Sequence, residues 1–231
     1  TARIASVTVF NSAPGGGTSS AINFTVNNQV PAVNNILPVS AGAGGAALTL
    51  TVNGSNFVSG SVVRFNGSNR VTTFVSATQI TAQILSTDLQ MAGAFPITVQ
   101  NPAPGGGMSS AVNFTVNNPS PTISTLSPSN VLAGEQAFTL TVNGADFVNG
   151  SVVKFNGVSR ATILVNSTQL KAQILATDVQ TAGTRQVMVL NPGPGGGTSA
   201  PSSLTINNPA PTLTTVSPAT VIVGGGAFTL T

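Results

Sequence analysis

Catalysis and ion binding need side chains that exchange protons, attack or coordinate, and this chain has few of them. Its 231 residues include 7 Lys+Arg and 4 Asp+Glu, with no His, Cys, Trp or Tyr. The acids are Asp88, Glu135, Asp146 and Asp178. General acid–base chemistry needs two positioned titrating groups, and a Ser-His-Asp triad needs a histidine. Residues 29–118 hold a single acid, Asp88, and no Lys. Residues 119–208 hold Glu135, Asp146 and Asp178, but Gly45 and Asn56 stand at the positions equivalent to the first two. The reading is therefore a non-enzyme with no catalytic, cofactor-binding or metal residue, and the ligand-binding residues are unknown.

Three charged positions recur along the chain: Arg64 and Lys154, Arg70 and Arg160, Asp88 and Asp178. A repeated ligand contact would produce this pattern. So would surface charge, or an Arg–Asp pair pinning two loops, and that plainer reading is preferred. The loop Pro14-Gly15-Gly16-Gly17, seen again as Pro104–Gly107 and Pro194–Gly197, lacks the Lys-Ser/Thr of a phosphate loop. It is expected to be a flexible hairpin loop. Calcium at the joints between units would need clustered carboxylates, and residues 27–31, 117–121 and 207–211 offer none.

Other classes are also disfavoured. The net charge is only +3, and no basic run marks a nucleic-acid surface. The isoelectric point near 10.8 reflects scarce acids more than abundant bases. Without Trp or Tyr, and with most of the 11 Phe at inward positions, the chain lacks platforms for sugar stacking. Carbohydrate binding is thus not expected. A Lys–Asn isopeptide staple fails because Lys154 and Lys171 become Arg64 and Thr81 in the other repeat. Asn23, Asn53, Asn66, Asn113, Asn149 and Asn166 each begin an Asn-x-Ser/Thr triplet, which leaves glycosylation open. No apolar run is long enough for a membrane span.

The elements that carry these residues repeat without a gap. Asn11, Asn101 and Asn191 are equivalent, and half of the positions in 29–118 are identical in 119–208. A fixed period of this kind means one structural unit used repeatedly. The expected division is 1–28, the closing part of a unit; 29–118 and 119–208, two complete units; and 209–231, the opening part of another. The chain reads as a window on a longer array. Residues 1–28 are expected to hold the last two strands of a unit, and 209–231 the first two.

Within 119–208 the apolar pattern has period two. Phe138, Leu140 and Val142 alternate with threonines, and Leu170, Ala172 and Ile174 alternate with Lys171 and Gln173. Strict alternation marks half-buried strands. Strands are expected at 122–126, 138–142, 151–155, 162–165, 169–174, 187–189 and 203–206. Asn143-Gly144 and Asn156-Gly157 are expected to turn the chain. About seven short strands without helical periodicity predict an all-β fold of tandem sandwiches. Short Pro-x-Pro joints such as Pro119-Ser120-Pro121 are expected to be stiff.

Several stretches carry a family resemblance. Pro31 to Pro38 is repeated as Pro121 to Pro128, and Leu50-Thr51-Val52-Asn53-Gly54 is repeated as Leu140 to Gly144. Gly60-Ser61-Val62-Val63-Arg64-Phe65-Asn66-Gly67 recurs as Gly150 to Gly157, and Val99-Gln100-Asn101-Pro102 as Val189 to Pro192. With these motifs the chain resembles the IPT/TIG immunoglobulin-like (E-set) domains. The resemblance implies an immunoglobulin-like sandwich. It spreads over surface receptors, transcription factors, polysaccharide enzymes and bacterial surface proteins, so it does not fix a function.

The expected function is structural: part of a long extracellular fibre or cell-surface stalk of bacterial type, with further repeats of the same or neighbouring chains as its partners and no cofactor. Outward faces rich in Thr, Val and Ser are expected to help adjacent units or neighbouring chains pack, since few charges oppose contact. The alternatives are an adhesin-type binding array and accessory domains of a secreted polysaccharide-active enzyme.

Overall fold

The computed structural model describes residues 2–231. Residues 29–118 and 119–208 fold alike, each around its own apolar cluster. In the first, strands of four or more residues are β1 (Ala32–Leu37), β2 (Leu48–Ser55), β3 (Val62–Phe65), β4 (Thr72–Ser76), β5 (Gln79–Ile84), β6 (Gly93–Asn101) and β7 (Val112–Asn117). Three shorter pieces, 40–42, 68–69 and 107–108, complete the sheets. One sheet runs β4-β5-β2-β1, all antiparallel. The other runs from 40–42 through β7, β6 and β3 to 68–69, with 107–108 also on β6. Its one parallel pairing joins Ser40–Gly42 to β7.

The pattern of inward residues agrees with the sequence reading. Leu50 and Val52 on β2 pair across from Ala82 and Ile80 on β5, and Val63 and Phe65 pair with Val99 and Ile97. All eight are buried. A one-residue slip would turn this whole set to water, at about 1.5–3 kcal/mol for each large side chain. In the first unit Phe65 also stacks on Phe95 at 5.3 Å and meets Phe114 edge-on at 6.0 Å. Arg185 and Leu204 replace Phe95 and Phe114 in the second.

Sheet edges are where a chain this poor in charge would aggregate. Both edges of each four-stranded sheet carry a register shift: at Val33/Asn35 and Phe74/Ser76 in the first unit, and at Ile123/Thr125 and Leu164/Asn166 in the second. The edges of the other sheets are only two or three residues long. Bulges and short edges take over the blunting that charged side chains usually provide.

Two expectations need correction. Asn143-Gly144 does not turn the chain, because the strand runs unbroken from Phe138 to Ala145, as β2 does through Asn53-Gly54. Asn53 stays in the sheet by donating to Asn35 Oδ1 at 2.8 Å and accepting from Gln79 at 3.0 Å. Gly144 is required because a Cβ there would lie 1.9 Å from the Thr122 carbonyl oxygen. The chain leaves the strand just after it, at Asn56 and Asp146, with φ of 61° and 63°, and turns at 59–60 and 149–150. By contrast, Asn156-Gly157 does turn the chain, with φ of 49° and 85°, matching a type I′ hairpin.

Residues 209–231 form no strand, although two were expected there. Only a reciprocal backbone pair joins Ser217 and Thr231, at 2.9 and 3.0 Å, where Ser127 meets Thr141 in the complete unit. Strands without a covered apolar face have little to hold them. Residues 3–7 and 22–26 form the two strands expected of 1–28, and they pair antiparallel. Their apolar side lies open: Phe24 is 61% exposed, whereas its equivalent Phe114 is fully buried.

Candidate functional site

Two of the three recurring charges meet, as the Arg–Asp alternative of the plainer reading has it. Arg70 Nε donates to Asp88 Oδ2 at 2.8 Å while Nη2 pairs with Oδ1, and Arg160 binds Asp178 in the same fork. Each Asp also accepts from the backbone N–H three residues earlier, Leu85 or Leu175, at 2.9 Å. The pair therefore ties the hairpin carrying the Arg to the 3₁₀ turn at Ser86–Leu89 or Ala176–Val179. Burial by itself would raise the Asp178 carboxyl. The Arg160 hydrogen bond, the Leu175 N–H and the Arg160 charge together outweigh it and hold the group below its ordinary 3.8.

A hollow of about 280 Å³ lies beside Arg70 and Asp88, and one of about 240 Å³ beside Arg160 and Asp178. Phe95 and Met91 line the first, Val158 and Arg185 the second, so the two do not offer one repeated ligand chemistry. Arg64 folds back onto the Gly67 carbonyl, at 2.6 Å from Nη2. Glu135 accepts from the Leu132 N–H at 3.0 Å, and Asp146 is exposed. No three His, Cys, Asp or Glu side chains cluster among the described residues.

The densest polar construction is one that sequence reasoning missed. Asn101 ends β6 and Asn191 ends the equivalent strand, and both are about 98–99% buried. The Asn101 amide nitrogen donates to the Asn56 carbonyl at 2.6 Å and the Gln29 carbonyl at 2.9 Å, while its oxygen accepts from Ser61 at 2.6 Å. Asn191 repeats this with Asp146, Pro119 and Ser151 at 2.6, 2.9 and 2.6 Å. A signal for it was present, because positions 97, 99 and 101 share one strand face and the first two are core. An Asn on that face needs built-in partners.

This hub sits where the chain enters each unit from the one before. Asn28 donates its N–H to the Pro104 carbonyl at 2.8 Å and accepts from the Gly106 N–H at 2.8 Å, and its side chain donates to the Pro102 carbonyl at 2.8 Å. Asn118 makes the same three bonds with Pro194, Gly196 and Pro192, at 2.8, 2.8 and 3.0 Å. The Gly-rich loops are therefore not free hairpins. The loops at 104–107 and 194–197 each lie in a parallel bridge against the end of the preceding unit. Proline is not what makes the joints alike either, since the first reads Gln29-Val30-Pro31 and the second Pro119-Ser120-Pro121.

No curated protein matches the sequence. Among solved structures, a protein with a xylogluco-oligosaccharide shows 18% identity over 85% of this chain and 45% of its own, with a TM-score of 0.46. The plexin A4 extracellular region shows 18% identity over 83% of this chain and 16% of its own, at 0.34. A Ca²⁺-stabilised ice-binding adhesin of an Antarctic bacterium shows 16% over 90% and 58%, at 0.35. This chain spans less than half the length of the first two. The IPT/TIG domain signature matches twice, at 31–116 and 121–206. Those two spans take in most of the sequence, so the chain belongs to the IPT/TIG domain family and carries the domain in tandem.

Proposed function

We propose that this protein is a structural segment of an extracellular or cell-surface stalk, built from units 29–118 and 119–208. Residues 1–28 and 209–231 are parts of flanking units on this reading. The observation that carries it is the joint: two sequences that differ at Gln29/Pro119 and Val30/Ser120 share four hydrogen bonds at equivalent positions, and each adds one of its own, Asn56 to the Val30 carbonyl and Ser120 to the Gly196 carbonyl. Equal units joined by equal joints repeat one rotation and translation, which generates a rod or superhelix. Neighbouring copies of the repeat are its partners, and no step of chemistry is assigned to it.

Electron microscopy of the native material tests this. Uniform filaments or stalks with an axial repeat on the order of 35–45 Å per unit are expected. Compact particles without such a repeat would overturn the stalk and favour the adhesin-type array, to be pursued by ligand screening.

A further inference from the structure

We propose that the Pro-Gly-Gly-Gly loops at 104–107 and 194–197 are sockets for the extended Asn-Asn ends at 27–28 and 117–118 of the preceding units, and that this socket fixes the orientation of neighbouring domains. The three glycines of the loop serve different ends, and comparing the three copies separates them. A Cβ on the middle glycine would strike the loop's own carbonyls in every copy: Asn11 O at 2.2 Å from Gly16, Pro102 O at 2.6 Å from Gly106, and Pro192 O at 2.4 Å from Gly196. That glycine serves the loop itself. The last glycine has φ of 154°, 116° and 107° and meets nothing closer than 3.9 Å.

The first glycine behaves differently. Gly15, with φ of 81°, has nothing within 4 Å of its would-be Cβ. At Gly105, with φ of 66°, the same atom would lie 2.6 Å from Asn27 Cβ and 2.6 Å from Asn28 O. At Gly195 it would lie 2.7 Å from Asn117 Cβ and 2.6 Å from Asn118 O. The crowding comes wholly from the neighbouring unit. A glycine at this position lets two backbones approach as closely as a parallel bridge demands.

The partner is specified by chemistry as well as by space. It must be extended, to pair with the loop in parallel. It must also present an amide side chain, as Asn28 and Asn118 do to the carbonyls of Pro102 and Pro192. The Asn-Asn pair stands at 27–28, 117–118 and 207–208. The contact has a direction, since the loop of one unit grips the segment just after the last strand of the unit N-terminal to it. The proposal is independent of the stalk reading, because an adhesin array would use the same joints.

The chain has no Cys, so spin labels can be placed cleanly. Gln83→Cys and Gln173→Cys put labels at equivalent exposed positions of the two units. In the full chain, pulsed dipolar spectroscopy is expected to give one narrow distance distribution. Gly195→Ala should broaden it at least twofold, and Asn118→Ala, which leaves the backbone φ alone, should broaden it in the same sense. Gly15→Ala adds comparable local strain away from this joint and should leave the distribution unchanged. A broad distribution in the parent, unchanged width in Asn118→Ala, or equal broadening by Gly15→Ala would overturn the socket. Should Gly195→Ala fail to fold, Asn118→Ala decides.

Discussion

At the scale of residues, two polar constructions carry more than their number suggests. The Arg160–Asp178 fork holds Asp178 ionised below its ordinary 3.8. A carboxyl depressed in the folded state contributes stability above its unfolded value, and that contribution is lost as pH falls through the folded value. Unit 119–208 is therefore expected to weaken below about pH 4. Asp178→Asn should cost about 1–3 kcal/mol at neutral pH and flatten this acid limb, as read by denaturant titration at several pH values. Asn191→Ala leaves the Ser151 hydroxyl and the carbonyls of Asp146 and Pro119 without the partner they share. The expected loss is about 2–4 kcal/mol, seen as a melting temperature lower by on the order of 10–20 °C. Retention of the parent melting temperature would show that water replaces the amide without cost.

At the scale of elements, the strands follow their alternation and the exceptions follow their neighbours. Gly144 sits within a strand because the Thr122 carbonyl and Phe147 occupy the space a Cβ would need, at 1.9 and 2.7 Å. Gly144→Ala should destabilise its unit by about 1–3 kcal/mol or more without altering the neighbouring unit, measurable as separation of two unfolding transitions. A sequence window sees Asn-Gly and reads a hairpin turn, since Asn-Gly at 156–157 does form one. What separates the two cases is the strand at 122–127 lying alongside. The bulged and shortened edges belong to this scale as well. They favour faces over edges for any side-by-side packing of copies.

At the scale of the whole molecule, the two tandem domains differ from the flanking segments in what covers their apolar side chains. Leu213, Ile222 and Val223 are 83%, 87% and 101% exposed, and no strand forms in 209–231. In the isolated 231-residue chain, thermolysin, which cuts before exposed apolar residues, is expected to trim this segment before either complete unit and leave a resistant product ending near Asn208. Early cleavage inside β2 or β6 would contradict the picture of two well-covered cores.

The sequence by itself determined the repeat, the strand alternation, the buried set and the membership of an all-β sandwich class. These are readable because side-chain direction in a strand has a period of two, a property of neighbouring residues. It also pointed to the Arg–Asp pairs, through charges kept at both equivalent positions of an otherwise charge-poor chain. Only the tertiary structure decided what the Gly-rich loops, Asn101 and Asn191, and Asn53-Gly54 do. Asn101 finds its partners 40, 45 and 72 residues away, and Gly105 owes its crowding to Asn27 and Asn28 in the unit before. Such roles depend on which backbones the fold brings within hydrogen-bonding distance; local pattern shows that an inward Asn needs partners, as at 101, and not which groups supply them.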